Sequence, residues 1–286
     1  MERFYIVTNK AKDRNHLESD RIKNYLEAQG KFCILEEGHS VSKKYRYTDA
    51  TQIPKDIECI LVIGGDGTLI QAARDLAELE IPLIGVNLGT LGYLTEVERE
   101  NLYPSLDKLI RDEYQIEERM MLEGTIIREG KEVSTMVALN DVVFSRSGAL
   151  RVIDFKIYLN GKFLNFYSAD GIIIATPTGS TGYNMSAGGP IVSPDAKLMV
   201  MTPICAHTLN NRSIVLSGND KITLEFCQDR SGYCKERLIS FDGDNAVYAE
   251  VGDTVEIRRS KRFTKIIRLN KMSFLEVLRD KMGGGK

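Results

Sequence analysis

One segment constrains this chain more than any other: an apolar run that ends in a glycine-rich turn and continues as a helix pattern. The run Cys59–Ile63 is typical of a strand, and Gly64–Thr68 forms the turn GGDGT. A strand that passes directly into a helix is characteristic of parallel sheets covered by helices. The glycines let backbone N–H groups approach an anion closely, and a helix N-terminus favours negative charge. The segment therefore predicts a βα unit with an anion site at its turn.

An acidic residue, Asp66, stands in the middle of this turn. Its charge is badly placed to hold a phosphate, but a carboxylate can accept a proton or ligate a metal ion. The turn thus indicates phosphate chemistry rather than passive phosphate binding. An ordinary glycine-rich turn, in which Asp66 or Thr68 caps the following helix, explains the same residues and remains open at this point.

Length, charge and cysteine usage limit the partner classes. The 286 residues suit one large or two medium domains, and the net charge of −2 provides no overall basic field for nucleic acid or an anionic membrane. No apolar segment is long enough to span a bilayer, and the N-terminus lacks a signal-peptide pattern. Five cysteines without CxxC spacing indicate reduced thiols, and three scattered histidines predict no protein-bound metal site. We therefore expect a cytoplasmic protein that binds neither nucleic acid nor membrane.

The first 117 residues alternate strand-like and helix-like segments. Strands are predicted at Phe4–Thr8, Phe32–Leu35, Cys59–Ile63 and Pro82–Asn87, and helices at Asp13–Gln29, Thr68–Leu79 and Leu102–Arg111. This βαβ series predicts a mostly parallel sheet with helices on its faces. Ligands of such sheets bind beyond the carboxyl ends of the strands, where both GGDGT and the loop Asn87–Tyr93 would lie. The polar segment Gly38–Asp56 is predicted to be an exposed loop.

From residue 118 to residue 267 short β-like runs replace the alternation. The predicted strands are Met121–Arg128, Val133–Leu139, Val142–Ser145, Phe155–Leu159, Lys162–Tyr167, Ile172–Ala175, Leu198–Met201, Lys221–Phe226, Leu238–Asp242, Thr254–Arg258 and Thr264–Leu269. Asn160-Gly161 predicts a tight hairpin turn, because both residues tolerate positive φ angles. The basic run Arg258–Arg262 is predicted to be a solvated hairpin turn.

The final segment, Phe274–Lys281, is predicted to be a helix that returns to the first domain, and the tail from Gly283 is predicted to be disordered. The fold prediction is thus an α/β N-terminal domain with a mostly parallel sheet, residues 1–117 plus 268–286, and a mostly β C-terminal domain, residues 118–267. The first domain carries the GGDGT turn, and the second is expected to be the ligand-binding domain.

The segment Ser168–Ala196 is rich in glycine and small hydroxyl residues. Such residues provide many neutral hydrogen-bonding groups at close range, which suits a nucleotide or dinucleotide. Asp170, before the strand Ile172–Ala175, could bind an amide or a ribose hydroxyl. A flexible Ser/Thr/Gly loop is the competing interpretation, although the apolar flanks and the side chains of Tyr183 and Met185 favour a packed segment.

A second polar interruption is the pair Asn140-Asp141 within an apolar run. A turn or bulge explains it, and a pair that holds a sugar diol is the alternative. The chain contains neither GxxxxGK[ST] nor GxGxxG after a strand, so a P-loop protein and a Rossmann dehydrogenase are not predicted.

GGDGT, Asn140-Asp141, Asp170-Gly171 and Thr176–Tyr183 (TPTGSTGY) occur in this order at separations that resemble those of the bacterial ATP-dependent NAD kinases. GGDGT alone is shared with diacylglycerol and sphingosine kinase-like enzymes, whereas TPTGSTGY followed by SAGGPIVSP is much more specific. The resemblance implies transfer of the γ-phosphoryl group of ATP to the 2′-hydroxyl of the adenosine ribose of NAD, which gives NADP. It also implies a divalent metal ion carried with ATP, and a homotetramer or homodimer whose sites draw on neighbouring subunits.

Residue by residue, the resemblance implies that Asp66 is the proton acceptor. Asn140 and Asp141 would hold the adenosine ribose, and Asp170 would lie at the nicotinamide end. The further binding residues that it implies are Gly65, Gly67, Tyr93, Arg151, Ser168, Thr178, Ser180, Thr181, Gly182, Tyr183, Asn184, Met185, Ser186 and Cys205. Asp66 as a ligand of the metal ion remains an alternative role.

The chain departs from the family pattern at three places. Asn140-Asp141 replaces the usual Asn-Glu, and Gly182 stands where alanine is common. Asp242-Gly243-Asp244 resembles an Asp-Gly-Gln turn but ends in an acid, which leaves Asp244 open as an NAD contact. Two other function classes are weighed against the kinase: a related lipid or sugar kinase, which would need an apolar acceptor cleft, and a non-catalytic NAD(H)-sensing module, which would need a partner surface.

Overall fold

A computed structural model describes residues 1–36, 48–89, 92–147, 152–207, 211–228, 237–270 and 273–283 of the protein, without the side chain of Asn245. The chain divides into two units. The first comprises Met1–Arg119 and Arg262–Lys286, and the second comprises Met120–Lys261. The sequence-based boundaries, after residues 117 and 267, lie near these divisions.

The strands, in chain order, are β1 (Arg3–Thr8), β2 (Phe32–Leu35), β3 (Cys59–Gly64), β4 (Leu83–Asn87), β5 (Val97–Glu98), β6 (Gln115–Arg128), β7 (Lys131–Ala138), β8 (Asp141–Arg146), β9 (Ile153–Leu159), β10 (Lys162–Ala169), β11 (Gly171–Ala175), β12 (Leu198–Ile204), β13 (Ile214–Ser217), β14 (Ile222–Phe226), β15 (Arg237–Phe241), β16 (Asp244–Ala249) and β17 (Thr254–Arg268). The helices are α1 (Leu17–Ala28), α2 (Asp66–Asp75), α3 (Leu102–Ile110), α4 (Tyr183–Ser186) and α5 (Phe274–Met282). Short 3₁₀ turns lie at Arg14–His16, Ala50–Gln52, Arg99–Asn101 and Thr178–Thr181.

The first unit contains a parallel sheet with the strand order β2-β1-β3-β4-β5. Every residue of β3 and β4 is buried, as expected for central strands that are covered on both faces. Ile22 and Leu26 of α1 and Leu106 and Leu109 of α3 pack into the same hydrophobic core as these strands. The predicted α/β fold with a mostly parallel sheet is confirmed.

The register of this sheet brings three loops to one edge. Thr8 at the end of β1 is paired with Ile63 in β3, and Gly64 at the end of β3 is paired with Asn87 at the end of β4. The segments that follow β1, β3 and β4 therefore start side by side at the carboxyl edge, where ligands of such sheets bind.

The second unit is built from antiparallel strands. One sheet has the order β13-β12-β11-β8-β15-β16, and a second set has the order β10-β9-β14-β17, with β6 paired to β17 and β7. Phe144 and Phe241 from the first sheet share a hydrophobic core with Phe155 and Phe226 from the second set. The predicted mostly β domain is confirmed. The Asn160-Gly161 hairpin is also confirmed, with φ angles of 51° and 78°.

The basic run Arg258–Arg262 is not a turn, and this prediction is wrong. It lies inside β17, which is continuous from Thr254 to Arg268. Ser260 points into the protein, while Arg258 and Arg262 on either side are exposed and pair with Glu123 and Glu78. The run is thus part of a strand in which Ser260 is buried between exposed basic residues, and Arg258 and Arg262 are neutralised by acids on neighbouring segments.

Residues 38–56 are predicted as an exposed loop. Residues 38–47 of this segment lie outside the described residues, and residues 48–56 lie within them. The described part contradicts the prediction, because Thr48, Ala50 and Ile53 are buried. The N–H group of Thr48 donates to the carboxylate of Asp75 at 3.1 Å, so a helix residue far along the chain fixes this stretch.

The last helix, α5, belongs to the first unit, as predicted. It begins with a capping box between Ser273 and Glu276, and the Lys281 ammonium lies 6.0 Å from the ring centroid of Tyr93. Of the tail, only Gly283 falls within the described residues. No described helix combines the length and the apolar character needed to cross a membrane.

Candidate functional site

The GGDGT turn joins β3 to α2 without an intervening loop. Gly65 occupies the N-cap position, and no side chain caps the helix. Gly64 has to be glycine, because a Cβ atom there would lie 2.4 Å from the Thr68 hydroxyl oxygen. The helix-cap interpretation of Asp66 and Thr68 is therefore wrong, and the turn leaves its first N–H groups exposed to a ligand.

The Asp66 carboxylate turns away from its own helix and binds the segment after β4. Its Oδ2 accepts a hydrogen bond from the Tyr93 N–H at 2.7 Å. Its Oδ1 accepts from the N–H groups of Leu94 and Thr95 at 3.2 and 3.0 Å and from the Thr95 hydroxyl at 3.2 Å. A Cβ atom on Gly92 would lie only 1.9 Å from Oδ1, so this close approach requires glycine. The carboxylate is thereby held in one orientation.

The loop after β1 contributes residues that the sequence interpretation missed. The Asn9 side-chain amide donates to the Thr68 hydroxyl at 3.2 Å. The Lys12 ammonium lies 2.9 Å from the position that a Cβ atom on Gly65 would take. The sequence contains one signal for these residues. β1 and β3 are predicted as parallel strands, and adjacent parallel strands bring the loops that follow them together.

In the second unit, Asn140 and Asp141 stand at the start of β8. The Asp242 carboxylate accepts hydrogen bonds from the N–H groups of Leu139, Asn140 and Asp141, at 2.9, 2.7 and 3.2 Å. Asp242 itself has a φ of 56° in the tight turn between β15 and β16. In the Asp242-Gly243-Asp244 turn, the sequence analysis considered Asp244 as an NAD contact. The structure shows that Asp242 fixes the backbone of the Asn140-Asp141 pair.

Asp141 is buried, and Asn140 beside it is half-buried. Burial, and to a lesser extent the charge of Asp242, raises the pKa of Asp141 to about 7. The Oδ1 atom of Asn140 is buried and has no hydrogen-bond partner. Both side chains therefore retain hydrogen-bonding capacity that the surrounding protein does not satisfy, which is typical of ligand-binding groups.

The TPTGSTGY segment packs directly against this pair. The Thr176 hydroxyl donates to the Leu139 carbonyl at 2.6 Å, and the Thr176 N–H donates to the Asn140 carbonyl at 2.8 Å. A Cβ atom on Gly179 would lie 2.1 Å from the Asn140 carbonyl oxygen, and one on Gly182 would lie 3.3 Å from the Asn140 side-chain nitrogen. The structure thus brings together Asn140, Asp141 and Gly182, three residues that the sequence predicts to bind the ligand.

Other polar residues of this segment serve the fold. The Ser180 hydroxyl donates to the Pro177 carbonyl at 2.7 Å and accepts from the Val192 N–H at 3.0 Å. The Asn184 amide bonds the carbonyls of Ser180 and Pro190 at 3.1 and 3.0 Å. Both side chains are fully buried, so the alternative of a flexible loop is wrong. Side-chain contacts of Ser180 and Asn184 with a ligand would have to replace these bonds.

The remaining predicted binding residues differ in their accessibility. Tyr183, Met185 and Ser186 are exposed, whereas Thr178 is buried with an unpartnered hydroxyl. Thr181 donates to the Thr178 carbonyl at 3.3 Å. In the first unit, Gly67 is exposed in the first turn of α2. Arg151 lies outside the described residues.

Asp170, Ser168 and Cys205 come together at the ends of β10 and β12. The Arg146 guanidinium forms an ion pair with Asp170 at 2.7 Å, and the Asp170 N–H donates to the Ile204 carbonyl at 3.0 Å. The Ser168 carbonyl accepts from the N–H of His207, two residues beyond the exposed Cys205. Asp170 therefore meets any ligand as a carboxylate that is already paired with one arginine.

Within the described ranges, no three His, Cys, Asp or Glu side chains converge in a way that could hold a metal ion. Four cysteines there, Cys33, Cys59, Cys205 and Cys227, are free thiols. Burial raises the pKa of Cys33 to about 12, so this thiol stays protonated and acts as a core residue.

A parallel α/β unit with a glycine-rich acidic turn and a β unit with an Asn-Asp pair packed against a Ser/Thr/Gly segment define a nucleotide-dependent phosphotransferase. The family models agree: residues 6–114 match the ATP-NAD kinase N-terminal domain, and residues 139–269 match the ATP-NAD kinase C-terminal domain. An NAD kinase of Lachnospira eligens is 45% identical over 293 residues, which cover 99% of this chain and 100% of the relative. The chain belongs to the NAD kinase family.

Two solved structures share the fold. Yeast NADH kinase complexed with NADH superposes with a TM-score of 0.86 and 21% identity, covering 99% of this chain and 88% of that one. An NAD kinase from Archaeoglobus fulgidus in complex with ATP superposes with a TM-score of 0.76 and 22% identity, covering 98% of each chain.

Proposed function

We propose that this protein transfers the γ-phosphoryl group of ATP to the 2′-hydroxyl of the adenosine ribose of NAD and releases NADP. The observation that carries the proposal is the pair of turns, GGDGT and Asn140-Asp141 under TPTGSTGY, in a chain that matches the NAD kinase family over both units. One structural neighbour was solved with NADH and another with ATP, which supports the two substrate classes.

Asp66 is proposed as the proton acceptor for the 2′-hydroxyl. Among the described residues, three donors occupy its Oδ1, whereas Oδ2 accepts from the Tyr93 N–H alone. An ionised carboxylate has about four acceptor positions, two on each oxygen, so Oδ2 can accept one more hydrogen bond. The backbone donors also fix the carboxylate in place, which a general base needs in order to reach its proton in a defined geometry.

A divalent metal ion is proposed to arrive with ATP. Mg²⁺ keeps several waters and commonly binds through one or two carboxylates plus substrate phosphates, so a single carboxylate such as Asp66 fits as a ligand. When bound, the ion would neutralise charge on the phosphates. Ligation of the ion by Asp66 is the alternative to the base role, and both use the same remaining position on Oδ2.

Asn140 and Asp141 are proposed to hold the adenosine ribose, since the buried Oδ1 atom of Asn140 and the buried carboxylate of Asp141 have unused hydrogen-bonding capacity. Asp170, already paired with Arg146, is proposed for the nicotinamide end. The exposed Tyr183, Met185 and Ser186 of the second unit offer further contact area, together with the other binding residues that the sequence predicts.

We further infer a cytoplasmic homo-oligomer, either a tetramer or a dimer. Free thiols in the described residues support a reducing compartment. Exposed apolar side chains on the second unit, such as Phe163, Val215 and Tyr248, support burial against a second copy. Light scattering on the purified protein gives the mass, and a monomer at assay concentration would contradict the oligomer.

NADP formation from NAD, ATP and Mg²⁺ tests the function, with Asp66→Asn as the variant. Loss of a general base typically lowers turnover by about 10²–10⁴-fold. Asp20→Asn, an exposed acid of α1, is the matched control and should retain full activity. Near-wild-type turnover by Asp66→Asn would refute its role in the reaction.

Magnesium titration separates the two roles of Asp66. A lost base lowers turnover at every Mg²⁺ concentration, whereas a lost ligand raises the Mg²⁺ concentration that is needed for half-maximal rate. Wild-type protein that NAD stabilises against heat but that makes no NADP would favour the NAD(H)-sensing module instead.

A further inference from the structure

The segment that binds the Asp66 carboxylate is itself bound from its other side by an arginine. Arg268, the last residue of β17, donates from Nη2 to the Tyr93 carbonyl and from Nη1 to the Leu94 carbonyl, each at 3.5 Å. The N–H groups of Leu94 and Thr95 donate to Oδ1 of Asp66 at 3.2 and 3.0 Å. The guanidinium and the carboxylate thus lie on opposite sides of the same stretch of backbone.

The carbonyls that Arg268 contacts belong to the same peptide groups as these N–H donors. The Tyr93 carbonyl is joined to the Leu94 nitrogen, and the Leu94 carbonyl is joined to the Thr95 nitrogen. In a planar trans peptide the C=O and N–H bonds point in opposite directions, so each group can bind a cation on one side and a carboxylate on the other. Hydrogen bonds in such a chain polarise one another, and a charged donor gives the stronger bonds. A guanidinium on the carbonyl side therefore strengthens the N–H donors on the other side.

The carboxylates of Glu96 and Glu117 hold the guanidinium in this position. Nη1 of Arg268 donates to Oε2 of Glu96 at 2.9 Å, and Nε donates to Glu117 at 3.2 Å. The other oxygen of Glu96 accepts from the N–H groups of Leu269 and Asn270 at 3.0 and 2.9 Å. The side chains of Arg268 and Glu96 are 16% and 9% exposed, so solvent screens this ion pair little. The guanidinium therefore has one defined place beside the backbone.

Strand β4 anchors the end of the same segment. The Glu96 N–H donates to the Gly85 carbonyl at 3.0 Å, and a Cβ atom on Gly85 would lie 2.8 Å from the Thr95 side chain. Thr95 is therefore fixed against the sheet, and the contacts of Arg268 act on the two peptide groups that lead to it.

We propose that Arg268 is a positioning residue for Asp66, that it acts through the peptide groups of Tyr93–Thr95, and that Glu96 holds it in place. This role rests on the proposed function and deepens it, because it gives the reacting carboxylate a support that lies outside the sequence motifs. A misplacement of about 1 Å can cost about a hundredfold in rate. Loss of the support should therefore lower turnover, while substrate binding stays nearly unchanged.

Steady-state kinetics of Arg268→Gln give the first test. Its kcat should fall about ten- to a hundredfold, with the KM for NAD and the KM for ATP within about twofold of wild type. Arg262→Gln, which removes an ion pair with Glu78 from the same strand, is the matched control and should keep full turnover. A wild-type kcat in Arg268→Gln, or an equal loss in Arg262→Gln, would overturn the positioning role.

Arg268→Lys keeps the test valid if the glutamine variant is unstable. A lysine leaves a cation opposite Glu96, so its melting temperature should stay near that of wild type. Its ammonium is a point charge without the planar fork of arginine, so it cannot bridge Glu96 and both carbonyls. Arg268→Lys should therefore recover only part of the lost kcat, and full recovery would refute the carbonyl contacts.

A double-mutant cycle separates positioning from a general structural defect. In the Asp66→Asn background, Arg268→Gln should change kcat by less than about twofold, because the carboxylate that it positions is already gone. A structural defect would lower kcat by the same factor in both backgrounds, and that result would contradict the proposal.

Hydrogen exchange of the backbone measures the same support without NADP formation. The N–H groups of Tyr93, Leu94 and Thr95 should exchange about five- to tenfold faster in Arg268→Gln, as expected for the loss of one hydrogen bond, and at the wild-type rate in Arg262→Gln. Unchanged exchange in Arg268→Gln would refute the support even where NADP is formed. If the wild type makes no NADP but the exchange depends on Arg268, the proposed function fails and the support of this segment by Arg268 stands.

Discussion

Replacing Asp141 by asparagine should stabilise the fold at neutral and higher pH while weakening the binding of NAD. Asp141 is 4% exposed, and the described residues donate no hydrogen bond to its carboxylate. Asparagine has almost the same size, so the substitution removes an ionisable group without creating a cavity. The gain in stability and the loss of NAD binding have the same cause. A buried carboxylate that binds a ligand carries an uncompensated charge when the ligand is absent, and this charge destabilises the fold.

The magnitude follows from the pKa of this carboxyl group. Burial and the Asp242 charge raise the pKa of Asp141 from 3.8 to about 7. Between these values the folded protein binds a proton that the unfolded chain releases, so stability falls as pH rises. Each step of one in pKa corresponds to about 1.4 kcal/mol, so the full loss is about 4 kcal/mol. This is a large part of the roughly 5–15 kcal/mol that holds a typical domain folded.

Urea unfolding of wild type and Asp141→Asn from about pH 5 to about pH 8 measures this effect. The free energy of unfolding of the variant minus that of wild type should grow with pH up to about pH 7 and then stay constant. Titrating groups that do not interact with Asp141 cancel in this difference. A difference that is independent of pH would refute the buried, uncompensated carboxylate.

The same titration has a functional counterpart. If the ionised form holds the ribose hydroxyls, the KM for NAD of the wild type should decrease as pH rises through about 7. Asp141→Asn should have a higher KM for NAD without this pH dependence. The same pH profile in both proteins would assign the effect to another group.

Two glycine substitutions test the close contacts of the two turns. Gly92→Ala places a methyl group 1.9 Å from Oδ1 of Asp66, so NADP formation should fall about as far as in Asp66→Asn, and wild-type kinetics would refute the fixed carboxylate. Gly182→Ala places a methyl group 3.3 Å from the Asn140 side-chain nitrogen and from the Gly179 carbonyl oxygen, and 3.9 Å from Oδ2 of Asp141. At a φ of −93° it should change the melting temperature little. Gly179→Ala places a methyl group 2.1 Å from the Asn140 carbonyl oxygen and should lower the melting temperature strongly. Equal melting temperatures of Gly179→Ala and Gly182→Ala would contradict this packing.

Much of the fold could be predicted because its signals are local. Apolar runs beside glycine-rich turns indicated strands of the parallel sheet. Asn160-Gly161 indicated the β9-β10 hairpin of the second unit, because both residues accept positive φ angles. The basic run in β17 misled the interpretation, because five polar residues in sequence are typical of a turn. Its arginines are neutralised by Glu123 and Glu78, which lie far away in the chain.

The candidate site likewise combines features that local sequence determines with features that depend on distant parts of the chain. Sequence alone determined the two turns, the acid between the glycines and the polar pair at Asn140-Asp141, since each of these depends on a few consecutive residues. Only the tertiary structure showed that Asp242 holds that pair through three N–H groups and that Lys12 lies over Gly65. Such contacts depend on the register of strands that are distant in sequence, and strand register is set by the packing of the whole sheet rather than by local residue preference.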